Sequence, residues 1–229
     1  MKHFKIAFSV LFILLVSFFV VRACVHPKRS STSEPIRYEI PLFSKLVPER
    51  SIVMAPRPAL KAGPRVSIIL DDWGKNYRLL KKAVEIGRPL TLAVIPNLSH
   101  SREIAEEAHR KGLGIMLHLP MEPFNQYEIL EPRTIMVSMK EAEIKKIVDD
   151  AVAAVPFAEG VNNHMGSAAT SDARVMKTVL SRLKSKKLFF IDSHVVATTK
   201  GLEFARKTGI RFAERDVFID NENNVVAIK

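Results

Sequence analysis

The chain has 229 residues, 47% hydrophobic and 26% charged, which supports one sizeable domain, excludes disorder throughout and is short for two domains. Its net charge of +11 is uneven: residues 1–64 carry ten Lys/Arg against three Asp/Glu, a net of +7, and the rest carries twenty-five against twenty-one, a net of +4. The basic excess therefore belongs to the N-terminal arm and suits an anionic lipid or polymer surface, while no nucleic-acid-binding motif is present.

Lys2 and Lys5 precede a mostly apolar run, Ile6 to Val21. Its length falls between a signal-peptide core and a full membrane span, so residues 1–25 read as an export signal or an N-terminal membrane anchor. Val21-Arg22-Ala23-Cys24 resembles a bacterial lipoprotein cleavage box. Cys24 is the single cysteine, which excludes an intrachain disulfide and a thiolate metal centre. Residues 26–64 hold seven of the thirteen prolines and read as a basic, extended tether, with a short edge strand possible at 36–42. The leader and tether lead to the expectation of a bacterial cell-envelope location, anchored or secreted.

From residue 65 to 229 the pattern is regular. VSIILD is a buried strand. YRLLKKAVEIG (77–87) has helical spacing and ends at Gly87, suited to the position after a helix end. LTLAVIP (90–96) is a strand, 101–112 a helix, and GIMLHLP (114–120) a strand. Ser138 and Glu141 predict a capping box before the next helix. EGVNNH (159–164), a helix over 172–186, LFFID (188–192), a helix near 201–208 and IRFAE (210–214) complete the series. Alternating strands and helices predict an α/β domain with a parallel sheet, open or closed into a barrel.

Such sheets carry their chemistry at the carboxyl ends of the strands. Asp71 and Asp72 end the first strand, His118 lies near the end of the third, and Asn162-Asn163-His164 and Asp192 end the next two. Grouped carboxylates and imidazoles are costly to bury unless a cation or a donor network compensates. Two imidazoles and a carboxylate with open positions suit a catalytic divalent metal, zinc first, with Mn, Fe or Ni also compatible. A purely structural polar network is the alternative. One of the adjacent carboxylates is expected to bind metal while its neighbour acts as base. Glu122 is either a partner of His118 or solvated, and Arg215 is expected to pair with Asp216 or Asp220.

ILDDWG, LTLAVIP, MLHLPMEP, VNNHMGS with Thr170, FFIDS and RDVFID, in this order over about residues 65–221, resemble the divergent polysaccharide deacetylase family, related to the NodB-type carbohydrate esterases. The resemblance implies a distorted or incomplete (β/α) barrel and metal-assisted hydrolysis of acetyl groups on a cell-envelope polysaccharide. It implies Asp71 as general base, Asp72 as metal ligand, and His118 and His164 as imidazole ligands. NodB-type enzymes draw both imidazoles from one short HxxxH segment, so Asp192 is a further ligand candidate. Relatives usually continue into a strand with an IGHP-like motif, whose His resembles the proton donor; this chain is therefore expected to be short at its C-terminus. His194 stands where relatives usually carry Arg and is the candidate acid. The alternative function is a non-catalytic metal- or glycan-binding envelope protein. The expected partners are an acetylated glycan and, through residues 1–25, a membrane; the oligomeric state is left open.

Overall fold

The computed structural model describes residues 66–220. The expected leader, the tether and the 36–42 strand lie outside these residues. Among the described residues no helix is long and apolar enough to cross a membrane.

Six strands form one parallel sheet: β1 (Ile69–Trp73), β2 (Thr91–Val94), β3 (Gly114–Met121), β4 (Gly160–Met165), β5 (Phe189–Asp192) and β6 (Phe212–Glu214). Their spatial order is their chain order, β1 to β6, and every pairing is parallel. The helices between them are α1 (Leu79–Glu85), α2 (Ser101–Arg110), α3 (Glu141–Ala154), α4 (Ser167–Ser171), α5 (Ala173–Ser185) and α6 (Gly201–Thr208). Parallel crossovers share one hand. Because each one here advances to the next strand without reversal, the helices gather on one face and the other face is free to curl inward, as in a barrel. Among the described residues β1 and β6 remain edges, so the sheet is not closed.

The two faces differ in content. Val94, Leu117, Val161 and Phe190 align across β2 to β5 and are fully buried within the main apolar cluster, together with helix residues such as Ile104, Ile144 and Val179. The opposite face carries His118 in register with Asn162, and Pro120 in register with His164. Below them Gly160 pairs with Phe189; a Cβ on Gly160 would stand 2.2 Å from the Phe189 ring, so the missing side chain is what admits that ring as a floor. A strand buried on both faces reads as a continuous apolar run. β3 does so, with His118 as its one ionisable interruption.

Helix boundaries follow local chemistry. Asp172 accepts a hydrogen bond from the Val175 N–H at the start of α5 (2.8 Å). Gly87 has φ of 62° beyond the end of α1, as its position predicts. The expected cap at Ser138 is displaced: α3 starts after Lys140, whose N–H donates to Glu143 Oε2 at 2.8 Å. A lysine cannot accept from the helix N–H groups, so only the glutamate arm of the box is made.

α3 and α5 are clamped by Asp149, which receives Arg182 Nε at 2.8 Å and Nη2 at 2.6 Å, with Lys186 Nζ at 2.8 Å. The Arg182 hydrogen bonds, and secondarily Lys186, lower the Asp149 carboxyl to about 2. The pair is about one-third exposed, so solvent screens it. Asp149→Asn is expected to cost about 1 kcal/mol at pH 7 in urea unfolding, within the range for a bidentate pair at the surface. A carboxyl depressed on folding stabilises fully above its unfolded value and loses that effect as pH falls through its folded value. The two proteins should therefore converge below about pH 2.

Candidate metal centre

Asp71 and Asp72 lie within β1, where neighbouring side chains ordinarily take opposite faces. β1 avoids this with an irregularity. Leu70 pairs with Leu92 and Trp73 with Val94, so three steps on β1 match two on β2. The extra residue is a bulge, a device that re-aims side chains at a sheet edge. Asp72 adopts φ of 64°, a left-handed conformation that Asp tolerates better than most residues. Both carboxylates consequently reach the same imidazole: Asp71 Oδ1 lies 3.9 Å from His118 Nδ1, and Asp72 Oδ1 lies 3.3 Å from His118 Nε2.

His164 completes a triangle. Its Nδ1 is 2.9 Å from Asp72 Oδ1 and 3.2 Å from His118 Nε2. The rings meet edge to face, with centroids 4.9 Å apart. Two atoms bound to a tetrahedral zinc at about 2.0–2.1 Å lie about 3.3 Å from each other, so the edges of this triangle match a shared ion. Among the described residues this trio is the group of ligand-type side chains close enough to share one. His118 is 4% exposed, His164 15% and Asp72 67%, so the site opens to solvent past Asp72.

The hydrogens of the site follow from its partners. The Asp71 carboxylate accepts from Asn162 Nδ2 at 2.9 Å. That turns Asn162 Oδ1 toward His118 Nδ1, also at 2.9 Å. An amide oxygen only accepts, so Nδ1 must donate, and a neutral His118 keeps its lone pair on Nε2, the atom facing Asp72 and His164. This is the arrangement in which a metal-binding imidazole is oriented by a hydrogen bond at its other nitrogen. Hydrogen bonds from His118 and then His164, opposed by burial, keep the Asp72 carboxyl well below the usual carboxylate range. A divalent cation fits this donor set.

Asn162 is the functional residue that sequence reasoning left without a role. The signal was present: Asn162 and His164 are two apart on one strand and so share a face. Asn162→Leu keeps the bulk but removes both hydrogen bonds. It is expected to weaken metal binding about 10–100-fold in chelator competition, the range for loss of an orienting partner.

The other candidates lie elsewhere. Asp192 is fully buried, but its oxygens accept from the His194 N–H (2.8 Å) and the Thr199 hydroxyl (2.6 Å), and Oδ2 packs against Gly201 at the start of α6. It organises the β5–α6 loop and does not join the triangle. His194 is exposed on that loop with φ of 47°, outside the triangle. Glu122 does not reach His118; its carboxylate accepts from the Val137 N–H and closes the loop after β3. Arg215 makes no ion pair with Asp216 or Asp220; it donates to the carbonyls of Ser193 (2.7 Å) and His194 (3.1 Å) and lies over the Phe218 ring. Carbonyls of the β5 loop thus replace the expected carboxylates as its partners.

Uncharacterized protein YibQ of Escherichia coli (strain K12) is 33% identical over 195 residues, covering 85% of this chain and 58% of that protein. An uncharacterized protein of Haemophilus influenzae (strain ATCC 51907 / DSM 11121 / KW20 / Rd) is 31% identical over 168 residues, covering 73% of this chain and 60% of that protein. The chain thus spans less than two-thirds of the length of either relative. The crystal structure of uncharacterized protein ATU2773 from Agrobacterium tumefaciens C58 superposes with a TM-score of 0.68 at 22% identity, over 72% of this chain and 68% of that one, which establishes the shared fold. The family described as divergent polysaccharide deacetylase matches residues 68–229, a span that contains the bulged Asp pair, both imidazoles and Asn162. The chain belongs to the divergent polysaccharide deacetylase family.

Proposed function

We propose that the protein is a metal-dependent hydrolase that removes acetyl groups from a polysaccharide of the bacterial cell envelope. The observation that carries this reading is the triangle of Asp72 Oδ1, His118 Nε2 and His164 Nδ1, with edges of 2.9–3.3 Å, open to solvent on one side. Asp72, His118 and His164 would hold the ion, zinc by preference for two nitrogens and one oxygen. The ion would supply Lewis acidity toward the acetyl carbonyl and activation of water.

The remaining work falls to the chain. Asn162 holds the hydrogen on His118 Nδ1 and fixes the Asp71 carboxylate through one of its oxygens. Asp71 would take the proton of the attacking water and return it to the leaving nitrogen or oxygen. The apolar leader supports an envelope location, with residues 26–64 as the tether to a domain that starts near residue 65. Purified protein loaded with zinc should release acetate from acetylated glycan, and chelation should stop the release; no release at full metal occupancy would refute the hydrolase reading.

A protein that binds metal or glycan without turnover is the second reading. The observation in its favour is that His194, the candidate acid, is exposed on the β5–α6 loop, which leaves Asp71 to serve as both base and acid. Metal at stoichiometry without acetate release is its signature.

A further inference from the structure

Phe124, Tyr127, Ile129 and Leu130 lie in the loop between β3 and α3 and are 60%, 96%, 90% and 39% exposed. Four large apolar side chains in seven residues, turned to solvent, contribute nothing to the core. The backbone beneath them is well tied. The Glu122 N–H donates to the Ile135 carbonyl and the Ile135 N–H to the Pro120 carbonyl, both at 2.9 Å, which closes the base of the loop. Asn125 Oδ1 accepts from the Tyr127 N–H at 3.1 Å, and the Asn125 Nδ2 donates to Glu128 Oε1 at 3.0 Å, a side-chain turn that sets the tip. The loop therefore presents Tyr127 on a framed backbone, so little entropy is lost when the ring is covered.

Its placement is also specific. It leaves the end of β3, the strand of His118. The Phe124 N–H donates to Ser167 Oγ at 2.8 Å, just after β4, the strand of His164. Glu131 pairs with Lys75 Nζ at 2.6 Å, just after β1, the strand of Asp72. The loop is stitched to the ends of all three strands that supply the triangle, and so it forms a wall beside the metal centre.

We infer that this wall is a polysaccharide subsite, in which Tyr127, backed by Phe124 and Ile129, takes the apolar face of a pyranose ring one or more units from the sugar whose acetyl group lies at the metal centre. The inference rests on the hydrolase reading for its register on the glycan, but not for binding itself. A sugar ring offers a flat C–H face for an aromatic ring and hydroxyls at its edge for the neighbouring Gln126 and Glu128, so mixed aromatic and polar residues suit it. Of the loop's two cations, Arg133 pairs with Asp150 and Lys140 stands at the start of α3, while Glu128 lies next to Tyr127 in sequence, which opposes docking on an anionic lipid surface. Its ties to Lys75 and Ser167 set it on the same rim of the sheet as Asp72.

The test uses the full-length chain and two probes, chitopentaose and N-acetylglucosamine, in equilibrium binding with metal removed by chelator. The parent should bind the pentamer more tightly than the monomer. Tyr127→Ala should weaken pentamer binding about tenfold or more, as loss of a central aromatic contact does, and leave monomer binding unchanged. Because Tyr127 is exposed, the substitution should not alter the urea midpoint. Pentamer binding equal in parent and variant, or absent in the parent, overturns the subsite. Binding to vesicles of anionic phospholipid that Tyr127→Ala weakens would overturn it in favour of a membrane contact. Failure of the hydrolase reading looks different: the pentamer binds and Tyr127→Ala weakens it, yet the zinc-loaded parent releases no acetate.

Discussion

His118→Ala is expected to abolish stoichiometric metal binding, lowering affinity well beyond the ~10–100-fold that loss of an orienting partner produces. His118 is the hinge of the site, because one ring faces Asp72 and His164 with Nε2 and Asn162 with Nδ1. Removing it deletes a ligand and strands the Asn162 amide oxygen in a buried position. The stranded acceptor should cost about 1–3 kcal/mol of stability, so loss of metal in this variant alone is open to a folding explanation. His164→Ala separates the two effects. His164 is more exposed and its described contacts are the triangle itself, so its removal should forfeit metal with little change in the metal-free urea midpoint. In the parent, saturating zinc should raise the thermal midpoint, since a ligand at about 1,000 times its Kd stabilises by about 4 kcal/mol. Neither histidine variant should respond. Elemental analysis that finds equal metal in parent and both variants would remove the centre.

The sheet was legible because its signals are local. Six apolar runs separated by helical spacing predicted the six strands, and observed boundaries differ from the predicted ones by at most three residues. His118 and His164 were legible as strand-end polar residues, since a parallel sheet brings such ends together. The convergence of Asp71 and Asp72 was harder. It depends on a bulge and on a left-handed φ at Asp72, and neither is written in the residue types. Asp192 misled for the opposite reason. A carboxylate at a strand end can serve the site or the loop that follows, and here the Thr199 hydroxyl and the His194 N–H, both nearby in sequence, claim it. Asn162 was missed because its role exists only between partners 91 and 44 residues away. Whether a polar strand residue is satisfied by a neighbour or by a distant side chain is settled by packing.

Asp71→Asn is expected to retain metal while acetate release falls about 10²–10⁴-fold, the range that a positioned base contributes. The argument turns on what asparagine preserves. Asn162 Nδ2 now donates to an Asp71 oxygen at 2.9 Å, and an amide oxygen at position 71 accepts that bond equally well. Asn162 then keeps its orientation, His118 keeps its hydrogen on Nδ1, and the three atoms of the triangle are undisturbed. Only the capacity to take a proton is gone. Asp71→Ala removes the acceptor as well, freeing the Asn162 amide to rotate and present either end to His118. That variant should lose turnover to the same degree and also bind metal more weakly, toward the effect of Asn162→Leu. The pair thus splits two roles that a single substitution would merge: base chemistry, lost in both, and orientation of the imidazole, lost in one. Full acetate release by Asp71→Asn would remove Asp71 from the chemistry. Equal metal affinity in Asp71→Ala and the parent would show that the relay through Asn162 does not hold His118 in place.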